Sequence, residues 1–174
     1  MKKGIIVAIM LLTIILLVGC GKGEKVTGKV VIESSFKPTS ITTFKETGES
    51  ICENEEGLPI IRLFATSWCP HCQWVKETYN SVVKEYVEQG KIEAYHWVMD
   101  MDIDDLSGKK GIPESEQAIF KYYNEKGSIP TFVMGCKYMR IGNGYETQNN
   151  LAAEEEEFRL VIEDLINNEK NKNQ

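Results

Sequence analysis

The chain contains the stretch Ile60-Ile61-Arg62-Leu63-Phe64-Ala65-Thr66-Ser67-Trp68-Cys69-Pro70-His71-Cys72, in which two cysteines three residues apart follow an apolar run. Residues 60–66 have the length and composition of a strand that is covered on both faces, as in a parallel sheet. Helical periodicity follows over residues 69–89, and Gly90 is a common residue after a helix end. The sequence therefore predicts a dithiol where a buried strand gives way to a helix.

The predicted helix has one apolar stripe, whose members are spaced by four, three and four residues: Val75, Tyr79, Val82 and Tyr86. Cys72 lies three residues before this stripe and is expected to be the buried cysteine. Cys69 falls at the helix N-terminus, where unpaired backbone N–H groups and the helix dipole favour a thiolate. His71, if protonated or donating a hydrogen bond, adds to that effect; the alternative is a solvent-exposed spacer. Because only a thiolate attacks a disulfide, we predict Cys69 as the nucleophile and Cys72 as the resolving cysteine.

Downstream patterns predict, in order, a strand (92–99), a loop (100–112), a helix (from about 113 to before 127), a hairpin of two strands (129–134 and 138–141) and a final helix (151–167). The middle helix is expected to bury Ala118, Ile119, Tyr122 and Tyr123. The last helix is expected to bury Leu151, Phe158, Val161, Ile162 and Leu165, with the glutamates at 154–157 as a solvated face. Parallel strands joined by helices, followed by an antiparallel pair, predict a mixed four-stranded α/β sheet flanked by helices.

The N-terminus has the pattern of a targeting signal. Lys2 and Lys3 precede residues 5–18, an uncharged stretch that is too short for a comfortable membrane span. Leu17-Val18-Gly19-Cys20 resembles the lipobox of bacterial-type lipoproteins, which implies a signal peptide over residues 1–19 and a lipid on Cys20. An uncleaved transmembrane anchor and a plain secretory peptide are the alternatives. Each of these places residues 21–174 outside the cytoplasm, because no second apolar stretch follows.

Charge and composition limit the partners. The formal charge of −6 becomes −8 without Lys2 and Lys3, and an acidic surface repels nucleic acid and anionic lipid headgroups. We therefore expect no nucleic acid partner, and a membrane link only through the lipid. Residues 20–54 are polar and predict a tether with a possible short strand at residues 30–32. Residues 55–168 form the predicted domain, and residues 169–174 the predicted disordered tail.

The chain has five cysteines, and four remain if lipid takes Cys20. The three-residue spacing favours pairing Cys69 with Cys72, which leaves Cys52 with Cys136. We expect a structural disulfide between the segment before the first strand and the hairpin turn, in a compartment that permits it. Two separate thiols, a second redox pair and a four-cysteine zinc site are the alternatives, although structural zinc usually draws on two close pairs and only one is present.

Three stretches resemble the thioredoxin superfamily: residues 64–72 its active-site approach, Ser128-Ile129-Pro130-Thr131-Phe132 its cis-proline loop, and Gly142-Asn143-Gly144-Tyr145 its glycine turn before the last helix. The resemblance covers about residues 55–168. It implies a thioredoxin fold and a cis peptide at Pro130 that shapes a groove beside Cys69. Trp68 and the backbone of Ile129 would contact substrate in that groove. The other interpretation of Pro130 is a proline at a strand start, where no N–H donor is needed.

The Pro70-His71 dipeptide is similar to that of the DsbA family of periplasmic disulfide-forming oxidoreductases, although residues 101–127 are too short for that family's helical insertion. This implies a thiol–disulfide oxidoreductase acting on cysteine-containing secreted or membrane proteins, with an unidentified redox partner. Thiolate stabilisation makes the disulfide more oxidising and favours an oxidase or isomerase. A reductase and a non-catalytic binding module are the alternatives. We expect a monomer with no cofactor and no bound metal.

The position where thioredoxin-like proteins often carry a buried acid under the second cysteine holds Leu63. A proton acceptor for Cys72 is therefore missing at that place. His96, on the second predicted strand, is a candidate proton relay in its stead. The alternative for His96 is a histidine that only fills the core.

Overall fold

The structure is a computed structural model that describes residues 36–172, with side chains over residues 36–168. The predicted signal peptide, the lipidation site Cys20 and the possible strand at residues 30–32 lie outside the described residues. Among the described residues, no helix is long and apolar enough to cross a bilayer.

One mixed sheet carries six strands in the described part of the chain: β1 (Lys45–Glu46), β2 (Ile60–Ala65), β3 (Glu93–Val98), β4 (Ile103–Asp104), β5 (Thr131–Met134) and β6 (Tyr138–Ile141). Their order is β1-β6-β5-β2-β3-β4. β2 and β3 are parallel, and all other neighbours are antiparallel. The mixed α/β class is confirmed, but the predicted count of four strands is wrong. The two added edge strands have two residues each, too few to produce an alternating pattern, and β4 lies within the predicted loop.

Three helices flank this sheet: α1 (Pro70–Glu88), α2 (Glu114–Tyr123) and α3 (Leu151–Lys172). α1 ends before Gly90, whose φ of 63° lies in the left-handed region that favours glycine. The stripe predicted on α1 is buried throughout. α3 runs five residues beyond the predicted end at residue 167, into the segment assigned to the tail.

The sheet has a packed core on each face, as the apolar run of β2 indicates. Ile61 and Leu63 of β2 face the larger core, which α1 and α3 cover. Phe64 faces a smaller core with Trp97, which α2 covers. The side chains of β2 thus alternate between two buried surfaces, and this fixes both the position and the direction of the strand that leads to Cys69.

The buried face of α2 differs from the prediction. Ala118 and Tyr122 are exposed, whereas Ile119, Phe120 and Tyr123 pack on the smaller core. The different buried face of α2 is explained by Glu116, which is buried. Its two carboxylate oxygens lie 2.7 and 2.9 Å from nitrogens of the Arg62 guanidinium on β2. A buried guanidinium needs a paired carboxylate, so the helix turns Glu116 towards the sheet.

The predicted solvated face of α3 is wrong for two of its four glutamates. Glu154 and Glu157 are fully buried, and both pair with Arg140 of β6. Burial raises the pKa of the Glu154 carboxyl, while the Arg140 charge opposes that shift. Leu151, expected in the core, is exposed instead. The inward face of α3 is therefore set by an arginine on another strand as well as by apolar spacing.

Residues 36–54, assigned to the tether, pack on the domain. β1 pairs with β6, and the backbone N–H of Thr43 donates to Glu157 at 2.7 Å. Cys52 forms a disulfide with Cys136, with a Cα–Cα distance of 5.4 Å. The predicted pairing of these two cysteines is confirmed, and the folded unit begins before the predicted boundary at residue 55.

We expect loss of this disulfide to destabilise the fold. It closes a loop with a sequence separation of 84 residues. Replacing Cys52 and Cys136 together by alanine should lower the free energy of unfolding by about 2–4 kcal/mol, because the unfolded chain gains conformational entropy. Urea titration measures the change, with the Cys69→Ala/Cys72→Ala double variant as a control that keeps the bond. An unchanged free energy of unfolding would contradict the structural role.

Candidate active site

Cys69 is the N-cap residue of α1. Its backbone is extended, with φ −79° and ψ 116°, and Pro70 follows at the start of the helix. Its sulfur accepts a hydrogen bond from the backbone N–H of Cys72 at 3.3 Å. The sulfur therefore takes the place of the side-chain oxygen that usually caps a helix, as the predicted strand-to-helix transition required. A negative charge on this sulfur would face the positive end of the helix dipole.

Cys72 lies in the first turn of α1 with its side chain in the core. Burial, with a further contribution from the Cys69 sulfur, raises the pKa of the Cys72 thiol to about 12. At neutral pH Cys72 therefore holds its proton. The prediction that Cys72 alone is buried is wrong, because both cysteines are 3% exposed. What distinguishes them is the hydrogen bond that Cys69 receives at the helix end.

The peptide bond between Ile129 and Pro130 is cis, as the resemblance implied. The carbonyl oxygen of Ile129 lies 4.0 Å from the Cys69 sulfur. The carbonyl of Pro130 accepts a hydrogen bond from the N–H of Gly142 at 2.8 Å, which ties this loop to the end of β6. The Ile129–Pro130 peptide and Cys69 thus lie close together where β2 ends and β5 begins, in the middle of the sheet. A groove for a substrate strand at this place remains a prediction.

The two groups predicted to contact substrate, Trp68 and the backbone of Ile129, lie close to Cys69. Trp68 is 68% exposed, which is unusual for so large an apolar side chain. Its neighbour Ser67 is held by Asp100, which accepts from the Ser67 N–H at 2.8 Å. Ile129 is half-buried, and its carbonyl oxygen is the group near the Cys69 sulfur. Contact of either residue with a substrate stays a prediction.

His71 is exposed, but it is not an unattached spacer. Its Nδ1 lies 2.8 and 2.9 Å from the two carboxylate oxygens of Glu146. Since a carboxylate only accepts, Nδ1 donates this hydrogen bond. Asn143 donates to the His71 carbonyl at 2.8 Å. Nδ1 is therefore directed to Glu146 and not to Cys69. The sequence carried no signal for Glu146, which lies 75 positions away.

A cavity of about 260 Å³ adjoins Cys72. Cys72, His96 and Asp105 contribute to its lining. Nδ1 of His96 donates to the side-chain carbonyl of Asn80 at 2.8 Å and lies 3.6 Å from Asp105 Oδ2. Burial lowers the pKa of His96 to about 4, so the ring is neutral at pH 7. The structure thus brings the candidate relay and Cys72 to one cavity, and transfer of a proton between them stays a prediction.

Leu63 is fully buried in the larger core. At this position the chain therefore presents an apolar side chain to the core. An acidic side chain is provided by a different segment: Asp105, which directly follows β4, lines the same cavity as Cys72.

Comparison with known proteins finds no matching family model, no matching curated protein and no matching solved structure. Among residues 36–168, no group of three or more His, Cys, Asp or Glu side chains is placed to hold a metal ion. The four cysteines of this region divide into the Cys52–Cys136 disulfide and the free pair at the end of α1. The site is therefore interpreted from its own geometry.

His96 should make stability depend on pH. In the unfolded chain a histidine titrates near its usual pKa of 6.5, whereas burial holds the folded value near 4. Between these values the unfolded state binds more protons, so stability falls as pH decreases from about 6.5 to about 4, by up to about 3 kcal/mol. His96→Asn, whose amide can still donate to Asn80, should lose this component. Urea titrations of both proteins at pH 7.5 and pH 4.5 measure it, and equal pH dependence would contradict the buried neutral state.

Proposed function

We propose that this chain is a thiol–disulfide oxidoreductase of thioredoxin-like fold, which exchanges disulfides with cysteine-containing proteins through Cys69 and Cys72. The observation that carries the proposal is the position of the Cys69 sulfur as the N-cap of α1, where it accepts the Cys72 N–H at 3.3 Å. The parallel pair β2–β3, the hairpin β5–β6 and the cis peptide before Pro130 support the thioredoxin-like assignment.

The difference between the two sulfurs gives each a step in the exchange. In the oxidising direction, a substrate thiolate attacks the Cys69 sulfur of a Cys69–Cys72 disulfide, and Cys72 leaves and takes up a proton. A second substrate thiolate then attacks the substrate sulfur of the mixed disulfide, and Cys69 leaves. Two electrons pass from the substrate dithiol to the protein, Cys69 is released as a thiolate, and the protons that the substrate thiols give up go to solvent, from which Cys72 takes up one. Because the buried Cys72 thiol holds its proton at neutral pH, it must lose that proton before it can close the bond again.

The direction of exchange follows from thiolate stability. Stabilising the Cys69 thiolate stabilises the dithiol and makes the disulfide more oxidising, so the N-cap position favours an oxidase or isomerase. The contact of His71 with Glu146 works against this, because the carboxylate offsets any positive charge on the imidazole. That observation favours the second candidate, a reductase of an extracytoplasmic pathway. A non-catalytic binding module would need neither the capped sulfur nor the cis-proline loop beside it.

The proposed location is outside the cytoplasm, with a lipid on Cys20 that holds the chain to a membrane; a transmembrane anchor at the N-terminus is the alternative. The lipobox-like end of the apolar stretch supports the lipid. The Cys52–Cys136 disulfide is consistent with an oxidising compartment. An unidentified redox partner would recycle the Cys69–Cys72 pair. The protein is proposed to act as a monomer without a cofactor.

Replacing Cys72 by serine should trap substrates. The variant keeps the nucleophile but cannot resolve a mixed disulfide, so adducts that reducing agent releases should accumulate on Cys69. Non-reducing gel electrophoresis of the variant from cells, followed by mass spectrometry, detects them. The Cys69→Ser/Cys72→Ser double variant is the matched control. No adducts beyond that control would count against exchange with proteins.

Replacing Cys69 by serine should abolish turnover, because the attacking sulfur at the helix end is lost. We expect insulin reduction and oxidative refolding of a reduced substrate protein to fall to the uncatalysed rate. The Cys52→Ala/Cys136→Ala variant, assayed at a temperature where it is folded, should keep activity. Unchanged turnover in Cys69→Ser would refute the assigned nucleophile.

A further inference from the structure

The loop between β6 and α3 is attached to the first turn of α1 at several points. Asn143 donates from one amide nitrogen to the His71 carbonyl and to Glu146 Oε2, both at 2.8 Å. The Glu146 carboxylate accepts from His71 Nδ1. Farther along, Trp74 of α1 donates to Asn149 at 3.1 Å. The loop thus places one carboxylate directly against the Cys69-Pro70-His71-Cys72 turn.

The position of this carboxylate is fixed from inside the domain. The backbone N–H groups of Gly144 and Tyr145 donate to Oε2 of buried Glu154 at 3.0 and 2.9 Å. A Cβ at Gly144 would lie 2.6 Å from Thr43 Oγ1 and 2.8 Å from Arg140 Nη1, so only glycine fits this close approach. Glu146 therefore follows directly after a segment that is anchored to the Arg140–Glu154 pair.

Glu146 supplies, from the loop, a negative charge near the first turn of α1, which contains no acidic residue of its own. The N-terminal N–H groups and the dipole of α1 favour one negative charge. The Glu146 carboxylate and a Cys69 thiolate share this end of the helix. Like charges at one helix end disfavour each other, and Glu146 also engages His71, the side chain of the turn that would carry a positive charge if protonated.

We propose that Glu146 is a positioning residue that limits stabilisation of the Cys69 thiolate and makes the Cys69–Cys72 disulfide less oxidising than the Cys-Pro-His-Cys sequence alone indicates. Its carboxylate accepts a hydrogen bond from His71 Nδ1 and offsets any positive charge of that ring near the Cys69 sulfur. The biological role of this effect rests on the proposed function. The effect itself concerns only the equilibrium between the Cys69–Cys72 dithiol and its disulfide, which can be measured whether or not the protein acts on substrates.

The test is the equilibrium of the protein with glutathione, in which protein disulfide and two reduced glutathiones give protein dithiol and glutathione disulfide. Glu146→Gln keeps an acceptor for His71 Nδ1 but removes the charge. It should shift this constant about tenfold towards the protein dithiol, which corresponds to about 30 mV. Glu146→Asp should stay nearer to the original protein, and Glu77→Gln, the same charge change elsewhere on α1, should leave the constant unchanged.

The dependence on salt concentration distinguishes an electrostatic role of Glu146 from a purely structural one. The difference between Glu146→Gln and the unchanged protein should shrink between about 20 and about 500 mM salt, because screening weakens exposed charges. A purely structural role would alter the unfolding temperature without this salt-dependent shift. An unchanged constant, or a shift towards the protein disulfide, would overturn the proposal. If Cys72→Ser traps no substrates while Glu146→Gln still shifts the constant, the proposed function fails and the role of Glu146 stands.

Discussion

The N-terminus of α1 needs a hydrogen-bond acceptor, and in this protein the acceptor is the sulfur of Cys69. A helix leaves its first backbone N–H groups without partners, and a side chain that accepts a hydrogen bond from one of them stabilises the helix. Such a side chain also lies at the positive end of the helix dipole. Because the capping atom is a sulfur, the residue that starts the helix is also the proposed nucleophile. The proposed chemistry is therefore a consequence of how the strand–helix connection is closed.

The rest of the domain holds this connection in place through buried ionic groups as well as apolar packing. Arg62 and Glu116 join β2 to α2 on one face of the sheet, and Arg140 joins β6 to α3 through Glu154 and Glu157 on the other. Breaking such a buried pair costs more than an exposed one, because a charge would remain in the core without a partner. The second cluster also anchors the loop that contacts the candidate active site, and the backbone N–H groups of Gly144 and Tyr145 make this link by donating to Glu154.

Features with a local signal were predictable from the sequence. The strand β2, the start and end of α1 and the hairpin each depend on residues close together in the chain, and the disulfide followed from cysteine spacing. The cis bond before Pro130 was expected only from the family resemblance of residues 128–132. Features that depend on distant partners were not. The burial of Glu154 and Glu157 needs Arg140, and the role of His71 depends on Glu146, neither of which periodicity can reveal. The two-residue strands β1 and β4 are too short to leave a pattern.

The central claim is that the two cysteines, although both are buried, differ in reactivity because Cys69 caps the helix whereas the pKa of Cys72 is raised. Brief alkylation of the reduced protein near pH 7 with limiting iodoacetamide, mapped by mass spectrometry, tests it directly. Because burial raises the pKa of Cys72 to about 12, this thiol holds its proton at pH 7 and is a poor nucleophile. The account predicts label on Cys69 while Cys72 stays unmodified. Equal labelling of the two cysteines, or labelling of Cys72 first, would contradict it.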